Sequence, residues 1–157
     1  MSDTVADTPS KLDFWFDHGG ISVPNLAESI AWYERVLGFE VFRRRTIESV
    51  PCEMAMLRNG DLYIELFEAP GAAPLPKGRR LPDEDIKTHG NKHVSFAVDD
   101  VPWFAAELKK RGADIVWVTA NIFMRDNSGN LIEFVQRPRP VGMKGSLEKQ
   151  NPQGAKP

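Results

Sequence analysis

Four residues have types and settings that could do chemistry together: His18, Glu65, His93 and Glu133. In Asn91 to Asp100, the chain reads Asn-Lys-His-Val-Ser-Phe-Ala-Val-Asp-Asp. Successive strand side chains point to opposite sides, so Val94, Phe96 and Val98 make one face and His93, Ser95 and Ala97 the other. The same alternation sets Leu62, Ile64 and Leu66 against Tyr63, Glu65 and Phe67, and Ile132 and Phe134 against Glu133. It also sets Ile21 and Val23 against Phe16, His18, Gly20 and Ser22. A carboxylate on an inward strand face is costly unless paired or metal-bound, and two of them repel. One divalent cation would answer both costs. Two imidazole nitrogens and two carboxylates suit Ni, Co, Zn, Mn or Fe, with positions left for water or substrate. The alternative is that Glu65 and Glu133 pair with arginines such as Arg43 or Arg125.

The elements that would position these residues occur twice. A strand over Phe14 to Val23 ends at Pro24-Asn25, and Asn25 with Glu28 forms a capping-box start for a helix with Leu26, Ile30, Tyr33 and Leu37 on one face. Gly38 stops that helix. Strands at Phe39 to Arg45, Cys52 to Arg58 and Leu62 to Phe67 follow, the last two joined by the tight turn Asn59-Gly60-Asp61. After the strand at His93, Asp99-Asp100 cap a helix with Val101, Phe104, Ala105 and Leu108 on one face, ended by Arg111-Gly112. Strands at Asp114 to Val118, Ala120 to Arg125 and Leu131 to Gln136 complete the second copy. His18 and His93 each stand eight positions before the residue that opens a helix, Leu26 or Val101. Glu65 and Glu133 each follow a turn glycine, Gly60 or Gly129. Internal duplication is the strongest organisational signal in the chain.

The expected organisation is a flexible start over 1–12, one domain over 13–136, and a flexible tail over 137–157 rich in Pro, Gly, Lys and Gln. Within the domain, module one spans 13–68 and module two 91–136. Ala69 to Gly90 is a connection long enough to be a lid or a linker. The 157 residues are 41% hydrophobic and 27% charged with net charge −2, which suits an ordinary globular protein. Basic residues cluster only at Arg43-Arg44-Arg45 and Lys77 to Arg80, so no basic face for nucleic acid is expected. Cys52 is the one cysteine, which excludes an internal disulfide and a multi-cysteine zinc site and makes a reducing cytoplasm the expected location. No apolar run approaches the ~20 residues of a membrane span.

The segments His18-Gly-Gly-Ile-Ser-Val-Pro-Asn-Leu, Trp32-Tyr-Glu-Arg-Val-Leu-Gly-Phe39, Leu62-Tyr-Ile-Glu65-Leu, Lys92-His93-Val-Ser-Phe-Ala-Val-Asp-Asp and Asp126-Asn-Ser-Gly-Asn-Leu-Ile-Glu133-Phe resemble the vicinal oxygen chelate superfamily. That superfamily includes glyoxalase I, methylmalonyl-CoA epimerase, extradiol dioxygenases and fosfomycin or bleomycin resistance proteins. The resemblance runs from Asp17 to Gln136. It implies an α+β fold of paired βαβββ modules whose eight strands form a cupped, barrel-like sheet around one metal site, a single divalent ion held by His18, Glu65, His93 and Glu133, and a homodimer. Of the two carboxylates, Glu133 first and Glu65 second are implied to move a proton. In epimerase-like members a further glutamate stands on neighbouring strands, for which Glu48 and Glu53 are the candidates.

The implied activity is metal-dependent proton-transfer chemistry of the glyoxalase type: isomerisation, epimerisation or a lyase reaction on a small oxygenated organic substrate through a metal-stabilised enolate. Met54, Met56, Phe67, Trp117 and Phe123 alternate on candidate inward faces and suggest an apolar or aromatic substrate, with Arg125 beside them. The short stretch from Val116 to Arg125 lacks the glycines that glyoxalase I uses near glutathione, and the 22-residue segment from Ala69 to Gly90 is longer than in that enzyme. An Fe(II) dioxygenase of the extradiol type is the alternative, with His89 as the additional histidine. A drug-binding resistance protein without turnover is the second.

Overall fold

The alternating stretches fold largely as strands, the first only over Gly19–Ser22 rather than Phe14 to Val23, and the strand-helix-strand-strand-strand order occurs twice. The structure, a computed structural model, describes residues 12–14 and 16–139. The expected flexible start and tail lie almost wholly outside the described residues. The first module comprises β1 (Gly19–Ser22), α1 (Leu26–Trp32), a π-helical turn (Tyr33–Leu37), β2 (Glu40–Ile47), β3 (Cys52–Asn59) and β4 (Leu62–Glu68). The second comprises β5 (Val94–Val98), α3 (Val101–Lys110), β6 (Asp114–Val118), β7 (Asn121–Arg125) and β8 (Leu131–Gln136). Between them lie a 3-10 turn (Lys77–Arg80) and the short α2 (Pro82–Asp85), in a stretch the sequence reads as irregular.

Each module forms a four-stranded mixed sheet, in the orders β1-β4-β3-β2 and β5-β8-β7-β6. The strand before each helix returns beside the last strand in parallel, as a helical crossover allows. The eight strands thus form two sheets of four with no closed barrel, an α+β pair of βαβββ modules.

Both helices start the same way. Asn25 and Asp100 cap α1 and α3, accepting from the Glu28 and Trp103 N–H groups at 3.0 and 2.8 Å. The first N–H of each helix, on Leu26 or Val101, donates to Glu68 at 2.6 Å or Gln136 at 3.2 Å, the last residue of the module's final strand. These side chains satisfy helix donors that have no intrahelical partner and tie each helix to its own sheet. Gly38 closes the first helix with φ 70, a left-handed conformation that favours glycine.

Ile21, Ile30, Val36, Leu57, Ile64 and Leu66 of the first module share one core with Val101, Leu108, Ile122, Met124 and Ile132 of the second. Two polar sets lock the modules. Arg35 donates to the Arg111 carbonyl at 2.9 Å while Arg111 donates to the Val36 carbonyl at 3.2 Å, so each helix end receives a cation from the other module. Tyr33, 0% exposed, donates to Asp126 at 3.2 Å. The Asp126 carboxylate also accepts from the Ser128 and Asn130 N–H groups and the Asn130 amide, at 2.8 to 2.9 Å. Burial first, and then the neighbouring Asp126 charge, pushes the Tyr33 phenol well above its ordinary pKa.

In the folded protein the Tyr33 proton is therefore held more tightly than in the unfolded chain. Its contribution is fully present below the unfolded tyrosine pKa of about 10 and is lost as pH rises from there through the raised folded value. Urea titrations of Tyr33→Phe should show a loss of about 1 kcal/mol at neutral pH and a shallower alkaline decline than in the parent protein. An alkaline decline identical to the parent's would remove Tyr33 as its cause.

Candidate metal centre

His18 and His93 each sit one residue before the strand that carries their segment, at the open start of edge strands β1 and β5. Parallel register then places Gly20 beside Glu65 and Ser95 beside Glu133. Each imidazole lies two residues upstream of the residue that faces the glutamate, and each reaches back to it. His18 Nε2 stands 3.3 Å from Glu65 Oε2, and His93 Nε2 stands 3.3 Å from Glu133 Oε2. The sheets thus bring the four expected ligands together as two pairs, one in each module. Among the described residues, no three His, Cys, Asp or Glu side chains are grouped so as to hold a metal ion.

The pairs suit a cation chemically. Bond lengths of about 2.0–2.2 Å from neighbouring ligands put donor atoms roughly 3 Å apart, close to the spacing within each pair. His18 Nδ1 is bound to Asp17 at 2.6 Å, which orients the ring and leaves Nε2 toward Glu65, the second partner that metal-bound histidines usually have. That hydrogen bond, opposed by partial burial and helped by the Glu65 charge, raises the His18 pKa above its ordinary value. The His93 ring packs edge-on against Phe123, with centroids 5.0 Å apart.

The two carboxylates are held differently. Glu65 is 8% exposed, and its neighbours are the His18 imidazole and the Arg45 guanidinium, 3.7 Å away. Glu133 accepts from the Ser95 hydroxyl at 2.8 Å and from the Asn121 amide, both neutral donors. Asn121 and Ser95 were not among the residues expected at the site. Ser95 carried a signal, since it alternates with His93, whereas Asn121 becomes visible only when β7 is set beside β8.

The apolar residues expected near substrate lie on the same sheet faces as the ligands. Met56 is the register partner of Glu65, Met54 that of Phe67, Phe123 that of Glu133 and Trp117 that of Phe123. Trp117 and Phe123 stack edge-on at 5.2 Å. Arg125 makes a two-pronged ion pair with Asp114 at 2.8 and 3.1 Å, so its charge is already matched. Arg45, rather than Arg43, reaches Glu65. Glu53 accepts from Thr46 on exposed strand surface and alternates with Met54, away from the Glu65 face. Glu48 lies in the turn after β2, and His89 is exposed in the segment before β5.

No curated protein matches the chain. Solved structures do. A glyoxalase I of Leishmania major, described as trypanothione-dependent, is 21% identical, with 79% of this chain and 87% of that one covered and a TM-score of 0.63. A glyoxalase family protein from Enterococcus faecalis is 20% identical over 76% of this chain and 95% of its own, with a TM-score of 0.65. A mutant of the fosfomycin resistance protein FosX of Listeria monocytogenes, complexed with Mn(II) and 1S,2S-dihydroxypropylphosphonic acid, is 15% identical over 87% and 97%, with a TM-score of 0.55. At these identities the likeness is one of fold. The family model described as Glyoxalase/Bleomycin resistance protein/Dioxygenase superfamily matches residues 15–134, and with its paired βαβββ modules the chain belongs to that superfamily.

Proposed function

We propose that this protein is a metal-dependent enzyme of the glyoxalase-like type, catalysing a proton-transfer isomerisation, epimerisation or lyase reaction on a small oxygenated organic substrate. The observation that carries this reading is the repeated pair: an imidazole nitrogen facing a carboxylate oxygen at 3.3 Å, at the same position in both modules. His18, Glu65, His93 and Glu133 would hold one divalent ion, Ni, Co, Zn, Mn or Fe. When bound, the ion supplies Lewis acidity to adjacent oxygens of the substrate.

The remaining work falls to the chain. Arg45 places a permanent positive charge beside Glu65, which suits that carboxylate to remaining a ligand. Glu133 faces neutral donors besides His93, and its Oε2 is the atom we assign to accept and return the proton. Ser95 and Asn121 fix the orientation of that carboxylate, which general base catalysis requires. Phe123 and Trp117 on one sheet, and Met56 and Phe67 on the other, line the ligand-bearing faces and exclude water from the reacting end of the substrate.

Among the described residues of one chain no three His, Cys, Asp or Glu side chains are grouped to hold an ion, so we infer that a homodimer completes each site with the His18–Glu65 pair of one copy and the His93–Glu133 pair of the other. The edge strands leave the needed faces open: Gly20, Ser22, Ser95 and Ala97 are all exposed.

Protein purified without chelator or affinity metal should contain about one Ni, Co, Zn or Mn ion per four-ligand site, and both His18→Ala and His93→Ala should lose it. Iron together with oxygen uptake would move the assignment to a dioxygenase. Metal-free protein that binds ligands without turnover would make it a binding protein.

Proton exchange into small hydroxy- and oxo-compounds in deuterated water should fall about 10²–10⁴-fold in Glu133→Gln, with less metal loss than in His93→Ala. Equal metal loss in the two variants would reduce Glu133 to a ligand.

The shared site has its own test. His18→Ala and His93→Ala are each inactive under this reading, yet unfolded and refolded together they should regain activity, because each mixed dimer contains one intact set of four ligands. Mixing that restores nothing would place the whole site within one chain.

A further inference from the structure

The segment between the modules is a folded strap whose charges are unequally committed. Asp85, 2% exposed, lies against the Arg79 guanidinium and 3.6 Å from Lys92 Nζ. Arg79 also donates to the Asn91 carbonyl. A carboxylate this deep is tolerated only with its cations in place. The strap is thereby clasped at the residue immediately before His93.

The clasp fixes the backbone at Arg79, and the neighbouring Arg80 extends over the turn between β7 and β8. Its side chain lies on Gly129, where an added Cβ would stand 2.9 Å from Arg80 Nε and 3.0 Å from Cζ. Gly129 also has φ 90, so a residue without a side chain serves both the turn and the arginine. Arg80, His18 and His93 all line one cavity of ≈ 1280 Å³, whose apolar wall includes Leu75, Val94 and Phe96.

Most other charged groups lining this cavity have partners within the chain. Asp17 is bound to His18, Glu68 accepts from the Leu26 N–H, and Arg79 and Lys92 serve Asp85. Asp61 is exposed in the turn between β3 and β4. Among the described residues, no carboxylate forms an ion pair with Arg80. Arg80 is exposed to the cavity and lies over Gly129, and a guanidinium left without a carboxylate presents a planar fork of donors, the shape that carboxylates and phosphates match.

We propose that Arg80 determines specificity by binding the anionic group of an organic-anion substrate whose apolar part lies along Leu75, Val94 and Phe96. This rests on the proposed function only in placing the reacting end of that substrate at His93, which lines the same cavity as Arg80. Asp85 is a positioning residue, acting through the clasp that holds Arg80 in place.

The test uses the full chain freed of metal with EDTA, and compares naphthoate with its neutral counterpart naphthamide by calorimetry. The parent protein should prefer the carboxylate by about tenfold or more, as a charge-assisted contact implies. Arg80→Gln should abolish the preference and Arg80→Lys should retain part of it. Arg44→Gln, the same charge change on an exposed strand position, should leave it intact. Asp85→Asn should weaken naphthoate binding together with faster amide exchange across residues 77–92, a readout of the clasp. No preference in the parent protein, or an unchanged preference in Arg80→Gln, overturns the assignment. Because metal is absent throughout, failure of the metal reading leaves this result standing, and failure here leaves the metal reading untouched.

Discussion

The parallel pairing of the first and last strand in each module is the constraint from which the site follows. A strand can return parallel to its neighbour only through a crossover, and the helix after β1 or β5 begins that crossover. Once β4 lies beside β1, a histidine just before the first strand and a glutamate in the middle of the last become neighbours, although dozens of residues separate them in sequence. The same step occurs at β5 and β8 with the same offset: Gly20 opposite Glu65, Ser95 opposite Glu133, and the histidine two residues upstream in both. Glu68 and Gln136 secure the geometry from the other side, because each binds the first N–H of its helix from the end of the same strand that carries the glutamate. Glutamate placement and helix start are thus set by one strand in each module.

The four residues and their sheet faces are legible in the sequence as one converging set; their grouping into two pairs, one in each module, is not. Period-two alternation assigns a side chain to a sheet face, which is enough to put His18 with Gly20 and Glu65 with Phe67. It carries no information on how one sheet sits against another. That arrangement is fixed by contacts such as Tyr33 with Asp126 and the exchange between Arg35 and Arg111, each between residues 75 or more positions apart and without any periodic signature. Caps and turn residues in the sequence mark the limits of α3, β6 and β8 as they occur in the fold. The first strand is shorter than its alternation suggests, since regular pairing begins only at Gly19. The first helix passes into a π turn at Tyr33, where helical spacing alone predicts an uninterrupted helix.

The strap shows a different limit of sequence reading. Its prolines, glycines and mixed charges read as an irregular connection, and Asp85 looks like one more solvated carboxylate in the run Asp83-Glu84-Asp85. In the fold Asp85 is the buried member of that run. The difference arises because Arg79 and Lys92, thirteen positions apart, both reach it. Charges at the two ends of a segment can fold it around one carboxylate, provided close ion pairs such as those of Arg79 and Lys92 offset the desolvation cost.

Duplication supplied two similar half-sites, and the positions around the glutamates are where the copies differ. Glycine stands opposite Glu65 and serine opposite Glu133. The strand beside Glu65 carries Met54 and Met56, while the strand beside Glu133 carries Asn121 and Phe123. A histidine stands 3.3 Å from each glutamate; what differs is the Arg45 guanidinium beside Glu65 and a pair of neutral hydrogen bonds, from Ser95 and Asn121, at Glu133. A carboxylate beside a fixed cation gains its electrostatic stabilisation as an anion, whereas neutral donors orient a carboxylate with far less penalty for a change in its charge. The asymmetry follows from residues that differ at equivalent positions in two otherwise repeated sheets, Gly20 against Ser95 and Met54 against Asn121, so that one scaffold surrounds its two glutamates with different partners.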